Sequence, residues 1–318
     1  MAINVLILIL GLALIVFGAD WLVDGASSIA RKAGISEFVI GLTIVGFGTS
    51  CPELVVSLTG AIAGNSDISA GNVIGSNIFN TLLILGLTAV ISPIPITRQN
   101  KRRDIPMTIG VTLLLLLCGM NNTFFGIGES DGIIRIEAIV FLILFSLYIF
   151  FCFKTGSADA QEDGGKQYKL PAAIALVLAG LAGLVIGGRM FVNSATDIAR
   201  MLGVSDKFIA ITILAGGTSL PELATCVVAA AKKKGQLALG NILGSNIFNI
   251  LLILGCAAVV NPIEFTGINL VDMGVLVIST LLVFTSAYTG KKNMIDRFDG
   301  SVMLLCEAAY MAWLIIQL

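Results

Sequence analysis

The stretch Gly48-Thr49-Ser50-Cys51-Pro52-Glu53 interrupts a long apolar run, and Gly217-Thr218-Ser219-Leu220-Pro221-Glu222 repeats its pattern. Proline removes a backbone donor and clashes with the carbonyl four residues back, so each stretch predicts a kink or a break in a helix. A glutamate at the depth of a bilayer is costly and indicates a functional site. The two glutamates are separated by an offset of 222 − 53 = 169, and the same pattern surrounds both, so the sequence predicts a paired site.

The composition indicates an all-α polytopic membrane protein. The chain has 318 residues, of which 57% are hydrophobic and 12% charged, with a mean hydropathy of +0.98. Soluble domains carry about 25% charged residues. The sequence has no histidine, which excludes imidazole metal sites and Ser/His catalysis, and its six cysteines form no CxxC pair. We therefore interpret the cysteines as packing residues and expect no enzyme activity, no cofactor and no nucleic-acid partner.

Ten apolar runs have about the length that a helix needs to cross a bilayer, which is about 20 residues. They cover residues 3–24, 36–62, 70–92, 105–120, 132–153, 171–192, 207–231, 237–260, 271–289 and 300–317. The first run lacks a basic segment and a cleavage pattern, so we interpret it as a membrane helix rather than a removable signal. The only polar linker is 154–170, which divides the chain into residues 1–153 and 171–318, with five helices each.

The two halves are repeats at the same offset of 169, without a gap. The segment Gly75-Ser76-Asn77-Ile78-Phe79-Asn80 recurs as Gly244-Ser245-Asn246-Ile247-Phe248-Asn249. Five helices are an odd number, so the second half must enter the membrane from the opposite side. Inverted repeats of this kind are typical of transporters with a site near the middle of the membrane.

The basic residues predict the orientation of the chain in the cell (inner) membrane. With both termini outside, 15 of the 19 Lys and Arg residues fall in inner loops, including the linker, which is then cytoplasmic. Asp20 and Asp24 lie near the end of the first run, where we expect an interfacial or capping role.

Helical spacing predicts which polar groups surround the two glutamates. Thr49 and Ser50 lie four and three residues before Glu53, which places them on one face of the helix. Pro52 should also leave carbonyls between Gly46 and Thr49 free to bind a ligand. The same argument applies to Ala215, Thr218, Ser219 and Glu222 in the second copy. The next helices present two further i,i+4 pairs, Ser76 with Asn80 and Ser245 with Asn249, whereas Asn77 and Asn246 point about 100° away, where we expect hydrogen bonds between helices.

All of these groups are hard oxygen donors, which disfavours transition metals. Ca²⁺ takes six to eight oxygen ligands, including bidentate carboxylates. Two glutamates neutralise one Ca²⁺, but they could instead hold Na⁺ ions or protons. Two bare carboxylates in a low dielectric repel each other, so the empty site is costly and exchange is favoured over uniport.

The paired motifs G-T-S-x-P-E and G-N-x-x-G-S-N-I-x-N resemble the α-repeats of the cation/Ca²⁺ exchanger superfamily, in particular its prokaryotic sodium/calcium exchangers. The resemblance covers essentially the whole chain. It implies ten transmembrane helices in two inverted five-helix repeats, a single central site with alternating access, and first and sixth helices that slide as a pair.

The resemblance also implies roles for the site residues. Glu53 and Glu222 would bridge a central Ca²⁺ site and flanking Na⁺ sites, and the carbonyls of Thr49 and Thr218 would complete the Ca²⁺ shell. Asn80 and Asn249 would lie at the middle. The flanking sites would be formed by Ser50, Ser76 and the Ala215 carbonyl on one side, and by Ser219, Ser245 and the Gly46 carbonyl on the other. Asn249 departs from relatives that carry an acid at this position, which argues against K⁺ cotransport.

The sequence therefore predicts a Na⁺/Ca²⁺ antiporter that works as a monomer in the lipid bilayer. A Ca²⁺/H⁺ exchanger is the alternative within this class, because asparagine at both central positions also occurs there. A passive cation channel and an intramembrane carboxylate hydrolase are alternatives from other classes, although the sequence has no substrate-gating motif for hydrolysis.

Overall fold

The computed structural model describes residues 1–126, 130–155, 167–203, 215–289 and 293–317. The described chain is helical apart from four two-residue strands and short turns. The first half contains α1 (Ala2–Ala33), α2 (Glu37–Ile40), the π-helical turn π1 (Gly41–Val45), α3 (Gly46–Thr49), α4 (Cys51–Ile62), α5 (Ser66–Phe79), π2 (Asn80–Leu85), α6 (Gly86–Ile91), β1 (Ile94–Pro95), π3 (Asn100–Asp104), α7 (Ile105–Gly119), α8 (Asn121–Phe125), β2 (Gly132–Ile133) and α9 (Arg135–Thr155).

The second half repeats this order in part: among the described residues π3 and α8 have no counterpart, and the positions that match α2 and π1 lie outside them. It contains α10 (Leu170–Met201), α11 (Ala215–Gly217), α12 (Leu220–Ala231), α13 (Gly235–Ile247), π4 (Phe248–Leu254), α14 (Gly255–Val260), β3 (Ile263–Glu264), α15 (Leu270–Thr289), β4 (Met294–Ile295) and α16 (Arg297–Ile316). The starts of α4 and α12, of α5 and α13, and of α6 and α14 are each separated by the offset of the sequence repeat. Most of the predicted linker, residues 156–166, lies outside the described residues.

The chain is a multi-pass membrane protein, as predicted. In the described ranges, seven helices are long and apolar enough to cross a membrane, and the bent pair 37–49 and 51–62 brings the number to eight. Two of the ten predicted runs fall short for identifiable reasons. The helix α7 has only 15 residues, and the start of the seventh run, residues 207–214, lies outside the described part of the chain.

The predicted break at the first motif is confirmed. The axes of the two segments on either side of Ser50 differ by 47°, and Ser50 itself has φ −84° and ψ 5°. Pro52 stands in the first turn of α4, where a missing N–H costs no helical hydrogen bond. Ser219 has nearly the same conformation, with φ −87° and ψ 6°, before Pro221 in α12. Both motifs therefore end one helix and begin another.

Two short β-ribbons join the halves. In one, Ile94 of β1 is paired with Ile295 of β4, and in the other Ile133 of β2 is paired with Ile263 of β3, both antiparallel. The two ribbons exchange places when the halves are exchanged, since β3 corresponds to β1 and β2 to β4. This pairing fits the inverted repeat that the sequence predicts.

The interior and the periphery of the bundle differ strongly in burial. The most apolar 18-residue stretch within residues 235–260 is 83% buried inside the protein, whereas that of α16 is 17% buried. The helix α1 packs mainly on α10, and three pairs of small residues lie at the crossing: Gly11 with Gly187, Gly18 with Gly180, and Gly25 with Ala173. Small residues let two helix backbones approach closely in a membrane. The helices α1 and α10 therefore form a tight antiparallel pair beside the central helices.

We predict that Gly180→Ala separates this pair. A Cβ atom on Gly180 would lie 2.7 Å from the Gly18 carbonyl oxygen and 2.7 Å from the Leu22 amide nitrogen, and neither backbone atom can yield. The expected loss of stability is about 1–3 kcal/mol, measured by thermal unfolding in detergent. Gly188→Ala on the same helix is the matched control, because nothing lies within 4 Å of its Cβ position. Equal melting of the two variants would contradict the tight packing of α1 on α10.

Candidate cation site

The two motif glutamates lie in the first turns of α4 and α12, directly after the breaks at Ser50 and Ser219. Each is only 1% exposed. Within the described chain, neither carboxylate has a basic partner. Glu53 and Glu222 are close enough for their charges to interact. The breaks thus bring two buried carboxylates together without a resident positive charge.

The hydrogen bonds to the glutamates cross between the repeats. Ser50 in the first motif donates to Glu222 Oε1 at 2.9 Å, and Ser219 in the second motif donates to Glu53 Oε1 at 3.2 Å. Helical spacing relates each serine to the glutamate of its own motif, and the structure adds that each serine hydroxyl donates to the glutamate of the other repeat. Ser219 also donates to Ser76 Oγ at 3.3 Å.

The hydrogen bonds group the serines around the two carboxylates. Ser76 lies with Ser219 at Glu53. Ser245 and Thr49 lie next to the Glu222 carboxylate, together with Ser50. The side chains therefore form two clusters, which we call the Glu53 cluster (Glu53, Ser76, Thr218 and Ser219) and the Glu222 cluster (Glu222, Ser50, Thr49 and Ser245).

Four asparagines hold the middle of the site. Asn80 donates its amide to Asn246 Oδ1 at 3.2 Å, and Asn249 donates to Asn77 Oδ1 at 2.9 Å. Asn77 donates in turn to the Asn246 carbonyl at 3.1 Å, and Asn246 to Thr81 Oγ1 at 2.8 Å. The prediction of helix–helix hydrogen bonds for Asn77 and Asn246 is confirmed. Asn80 and Asn249 use their side-chain nitrogens in these bonds. Their side-chain oxygens accept no hydrogen bond from the described residues and remain available to a ligand.

Six oxygens of the site are buried and have no hydrogen-bond partner among the described residues: Glu53 Oε2, Glu222 Oε2, Asn80 Oδ1, Asn249 Oδ1, Thr218 Oγ1 and Ser245 Oγ. A buried polar atom without a partner costs about 1–3 kcal/mol, and more if it is charged. All six can offer a lone pair to a cation. This set of hard oxygens matches the ligands that Ca²⁺ and Na⁺ use and differs from a transition-metal site.

The backbone near the first break only partly fits the expectation that carbonyls between Gly46 and Thr49 are free to bind a ligand. Pro52 has no N–H for the Gly48 carbonyl, as predicted. The Gly46 carbonyl, however, accepts the Ser50 amide at 3.1 Å and a longer hydrogen bond from the Thr49 hydroxyl at 3.4 Å, so it is not free. The position of a Cβ atom on Gly46 would lie 3.4 Å from the Ser245 amide nitrogen, which places Gly46 beside the Glu222 cluster. Ala215 begins α11, and its side chain lies outside the described part.

The structure adds a second pair of asparagines that the helical-spacing argument missed. Asn72 donates to the Glu53 carbonyl at 3.1 Å and to Ser57 Oγ at 2.9 Å. Its repeat counterpart Asn241 donates to Cys226 Sγ at 3.2 Å and accepts from the Thr49 hydroxyl at 3.2 Å. The two asparagines recur at the offset of the repeat, which was the available signal. They hold the helix segments that carry the site, rather than facing it.

Comparisons with known proteins show what the chain is similar to. A family model described as sodium/calcium exchanger protein matches residues 3–154 and 172–317. The chain is 34% identical to sodium/calcium exchanger MaX1 of Methanosarcina acetivorans, over 97% of each chain. It is 36% identical to inner membrane protein YrbG of Escherichia coli, over 81% of this chain and 80% of that one. A solved structure of the sodium-calcium exchanger NCX_Mj has a TM-score of 0.86 and 36% identity, and the match covers 98% of this chain and 99% of that one.

We predict that Asn246→Ala disturbs both the fold and the site. The substitution removes the oxygen that accepts from the Asn80 amide and the nitrogen that donates to the Thr81 hydroxyl. The expected loss of stability is therefore about 2–4 kcal/mol. Because Asn80 is then free to rotate, the increase in melting temperature on adding Ca²⁺ should also shrink. Asn261→Ala is the control, since that side chain makes one long bond of 3.4 Å to the Ala61 carbonyl. A normal response of Asn246→Ala to Ca²⁺ would contradict the role given to the asparagines.

Proposed function

Because the chain belongs to the sodium/calcium exchanger protein family, we propose that it is a secondary-active antiporter that exchanges Na⁺ for Ca²⁺ by alternating access at the site between the two repeats. The observation that carries the proposal is the set of six unpartnered buried oxygens around Glu53 and Glu222. Without a basic partner in the described chain, two such carboxylates need cations.

The proposed Ca²⁺ position lies between the two glutamates. Glu53 and Glu222 supply its charge balance, and the side-chain oxygens of Asn80 and Asn249 border it. The carbonyls of Thr49 and Thr218, next to the two breaks, complete the shell. This set provides the six to eight oxygens that Ca²⁺ requires when the carboxylates bind through both atoms.

The proposed Na⁺ positions follow the two clusters. One lies in the Glu53 cluster, with Ser76, Ser219 and the carbonyl of Ala215. The other lies in the Glu222 cluster, with Ser50, Ser245 and the Gly46 carbonyl. Each glutamate then borders both a Na⁺ position and the Ca²⁺ position. Na⁺ and Ca²⁺ thus compete for the same carboxylates, and this competition couples their movements.

Exchange, rather than a passive leak, follows from the electrostatics. Moving two uncompensated carboxylates through the interior of the membrane is costly, since they repel each other and lack solvation. A site loaded with either Ca²⁺ or Na⁺ avoids this cost, so the loaded forms change their orientation more easily than the empty one. The protein is therefore a transporter and not an enzyme in this proposal, and its ions are cargo.

The architecture proposed with this function has ten transmembrane helices in two inverted repeats. Residues 1–153 form the first repeat, 154–170 a cytoplasmic linker, and 171–318 the second repeat. The family model supports this division, because it matches two segments that meet near the linker. The count of positive residues supports a cell (inner) membrane protein with both termini outside. We propose that the monomer is the working unit, because all ligands of the site come from one chain.

Ca²⁺ uptake into proteoliposomes tests the function. We predict uptake driven by an outward Na⁺ gradient and its loss in both Glu53→Gln and Glu222→Gln, because a neutral amide no longer balances the charge of the ion. Both variants should still fold in the absence of Ca²⁺, as measured by size-exclusion chromatography. Glu37→Gln is the control, as Glu37 lies outside the site. Uptake that follows a pH gradient and ignores Na⁺ would instead identify a Ca²⁺/H⁺ exchanger, and flux without a counter-ion would identify a channel.

We predict that Asn249→Asp changes the ion selectivity of exchange or its dependence on pH. The new carboxylate adds a third negative charge among the unpartnered oxygens and loses the amide donor to Asn77. Initial rates of Ca²⁺ uptake, measured at several Na⁺ concentrations and pH values, detect the change. Rates equal to those of the wild type under all conditions would place Asn249 outside the ion path.

A further inference from the structure

Lys232, the residue after α12, binds two carboxylates of α1. Its ammonium nitrogen lies 2.7 Å from the Asp20 carboxylate and 2.6 Å from the Asp24 carboxylate. It also donates to the Asp20 backbone carbonyl at 3.3 Å. Asp20 and Asp24 are one helical turn apart and face the same side. The two aspartates expected to be interfacial or capping residues thus share one cation from the second repeat.

A second ion pair joins the same turn to α2. Lys234 lies 3.2 Å from the carboxylate of Glu37, the first residue of α2, and only 10% of the Lys234 side chain is exposed. Burial lowers the pKa of Lys232, but its hydrogen bonds to Asp20 and Asp24 outweigh that effect and raise the pKa above its ordinary value. Lys232 therefore stays charged at physiological pH, and the link is permanent unless the helices move apart.

The link connects the α1–α10 pair to the central bundle. The helix α1 packs mainly on α10 through the close glycine crossings, and much less on the remaining elements. The α12–α13 turn belongs to the central bundle that carries Glu222. Alternating access generally proceeds by movement of one bundle against another around a fixed site. Lys232 is therefore placed to hold the α1–α10 pair against the core at one membrane face.

At the opposite face, the counterparts of these three residues cannot form the same link. The repeat offset relates Asp20 to Arg189 (189 − 20 = 169), Asp24 to Asn193, and Lys232 to Ala63. No acid–base pair can form from these three residues. Arg189 and Asn193 instead line a cavity of about 450 Å³. The site is pseudo-symmetric, whereas these three positions carry an acid–base link in only one of their two copies.

We propose that Lys232, Asp20 and Asp24 form an ionic latch that keeps the α1–α10 pair closed against the core at the Lys232 face and that opens when the site becomes accessible from that face. The distribution of positive residues makes this the cytoplasmic face. The role in access rests on the proposed antiport, whereas the closing of α1 on the core does not. The latch biases the resting protein toward the state that is open at the opposite face.

Hydrogen exchange tests the closure without any transported ion. In Lys232→Gln, we expect amide exchange in residues 26–33 at the end of α1 to be about two- to fivefold faster than in the wild type, the range for a partly exposed ion pair. Lys233→Gln is the matched control, because it removes the same charge from the adjacent residue, which makes no ion pair in the described part of the chain. Equal exchange in the two variants overturns the latch.

Side-specific transport tests the role of the latch in access. In oriented membrane vesicles, Lys232→Gln should improve the apparent Na⁺ affinity at the Lys232 face about two- to fivefold and weaken it at the other face, whereas Lys233→Gln should change neither. A purely structural role would lower the rate without this opposite shift, and that result overturns the proposal. Absence of Na⁺-driven exchange in the wild type would refute the antiport function instead, and hydrogen exchange would still judge the latch.

Paired substitutions make the test independent of any one variant. The double change Asp20→Asn with Asp24→Asn should reproduce the effects of Lys232→Gln, and adding Lys232→Gln to it should have no further effect. Additive effects would show that the lysine and the aspartates act separately and would overturn the latch. If Lys232→Gln does not fold, the double aspartate variant gives the same comparison against Lys233→Gln.

Discussion

The structure depends on two carboxylates that are buried beside each other with one serine donor each. Charges in a low dielectric are tolerated only when they are paired, and neither Glu53 nor Glu222 has a basic partner in the described chain. The protein does not resolve this internally, because it leaves the second oxygen of each carboxylate without a hydrogen bond. Under the proposed function, the stability of the centre is thereby tied to an ion that can leave. A salt bridge or an added donor would stabilise the fold and at the same time remove the reason to bind a cation.

Neither repeat can build this centre alone. The serine that neighbours Glu53 in the sequence donates to Glu222, and the serine that neighbours Glu222 donates to Glu53. The asparagine amides are exchanged between the repeats in the same way, with Asn80 bound to Asn246 and Asn249 bound to Asn77. Each half thus positions ligands for the other. The two β-ribbons, which also pair one half with the other, fix the halves at their ends.

The sequence predicted the fold class, the repeat and the break at Ser50, because these depend on simple rules: apolar length, a constant offset between matching segments, and proline. It also identified the asparagines that bridge the helices, since their helical angle separates them from Asn80 and Asn249. It does not give the hydrogen-bond partners of the serines, because helical spacing relates residues within one segment, whereas Ser50 and Ser219 donate to the glutamates of the other repeat. Contacts between residues far apart in the chain, such as Lys232 with Asp24, have no local signal and require the packed structure.

The symmetry of the centre makes the asymmetry of the faces meaningful. In a perfectly inverted pair of repeats, the states open to the two sides would have equal free energy, and only the ion gradients would set their populations. Sequence differences between the repeats make these free energies unequal. Such differences leave ion binding unchanged where they do not affect a ligand. The positions of Asp20, Asp24 and Lys232 and their counterparts Arg189, Asn193 and Ala63 meet this condition, because they lie outside the Glu53 and Glu222 clusters. In the proposed antiporter, separating the ion chemistry from the balance between states lets the two change independently, since a substitution in the proposed latch would alter which side the site faces without altering what it binds.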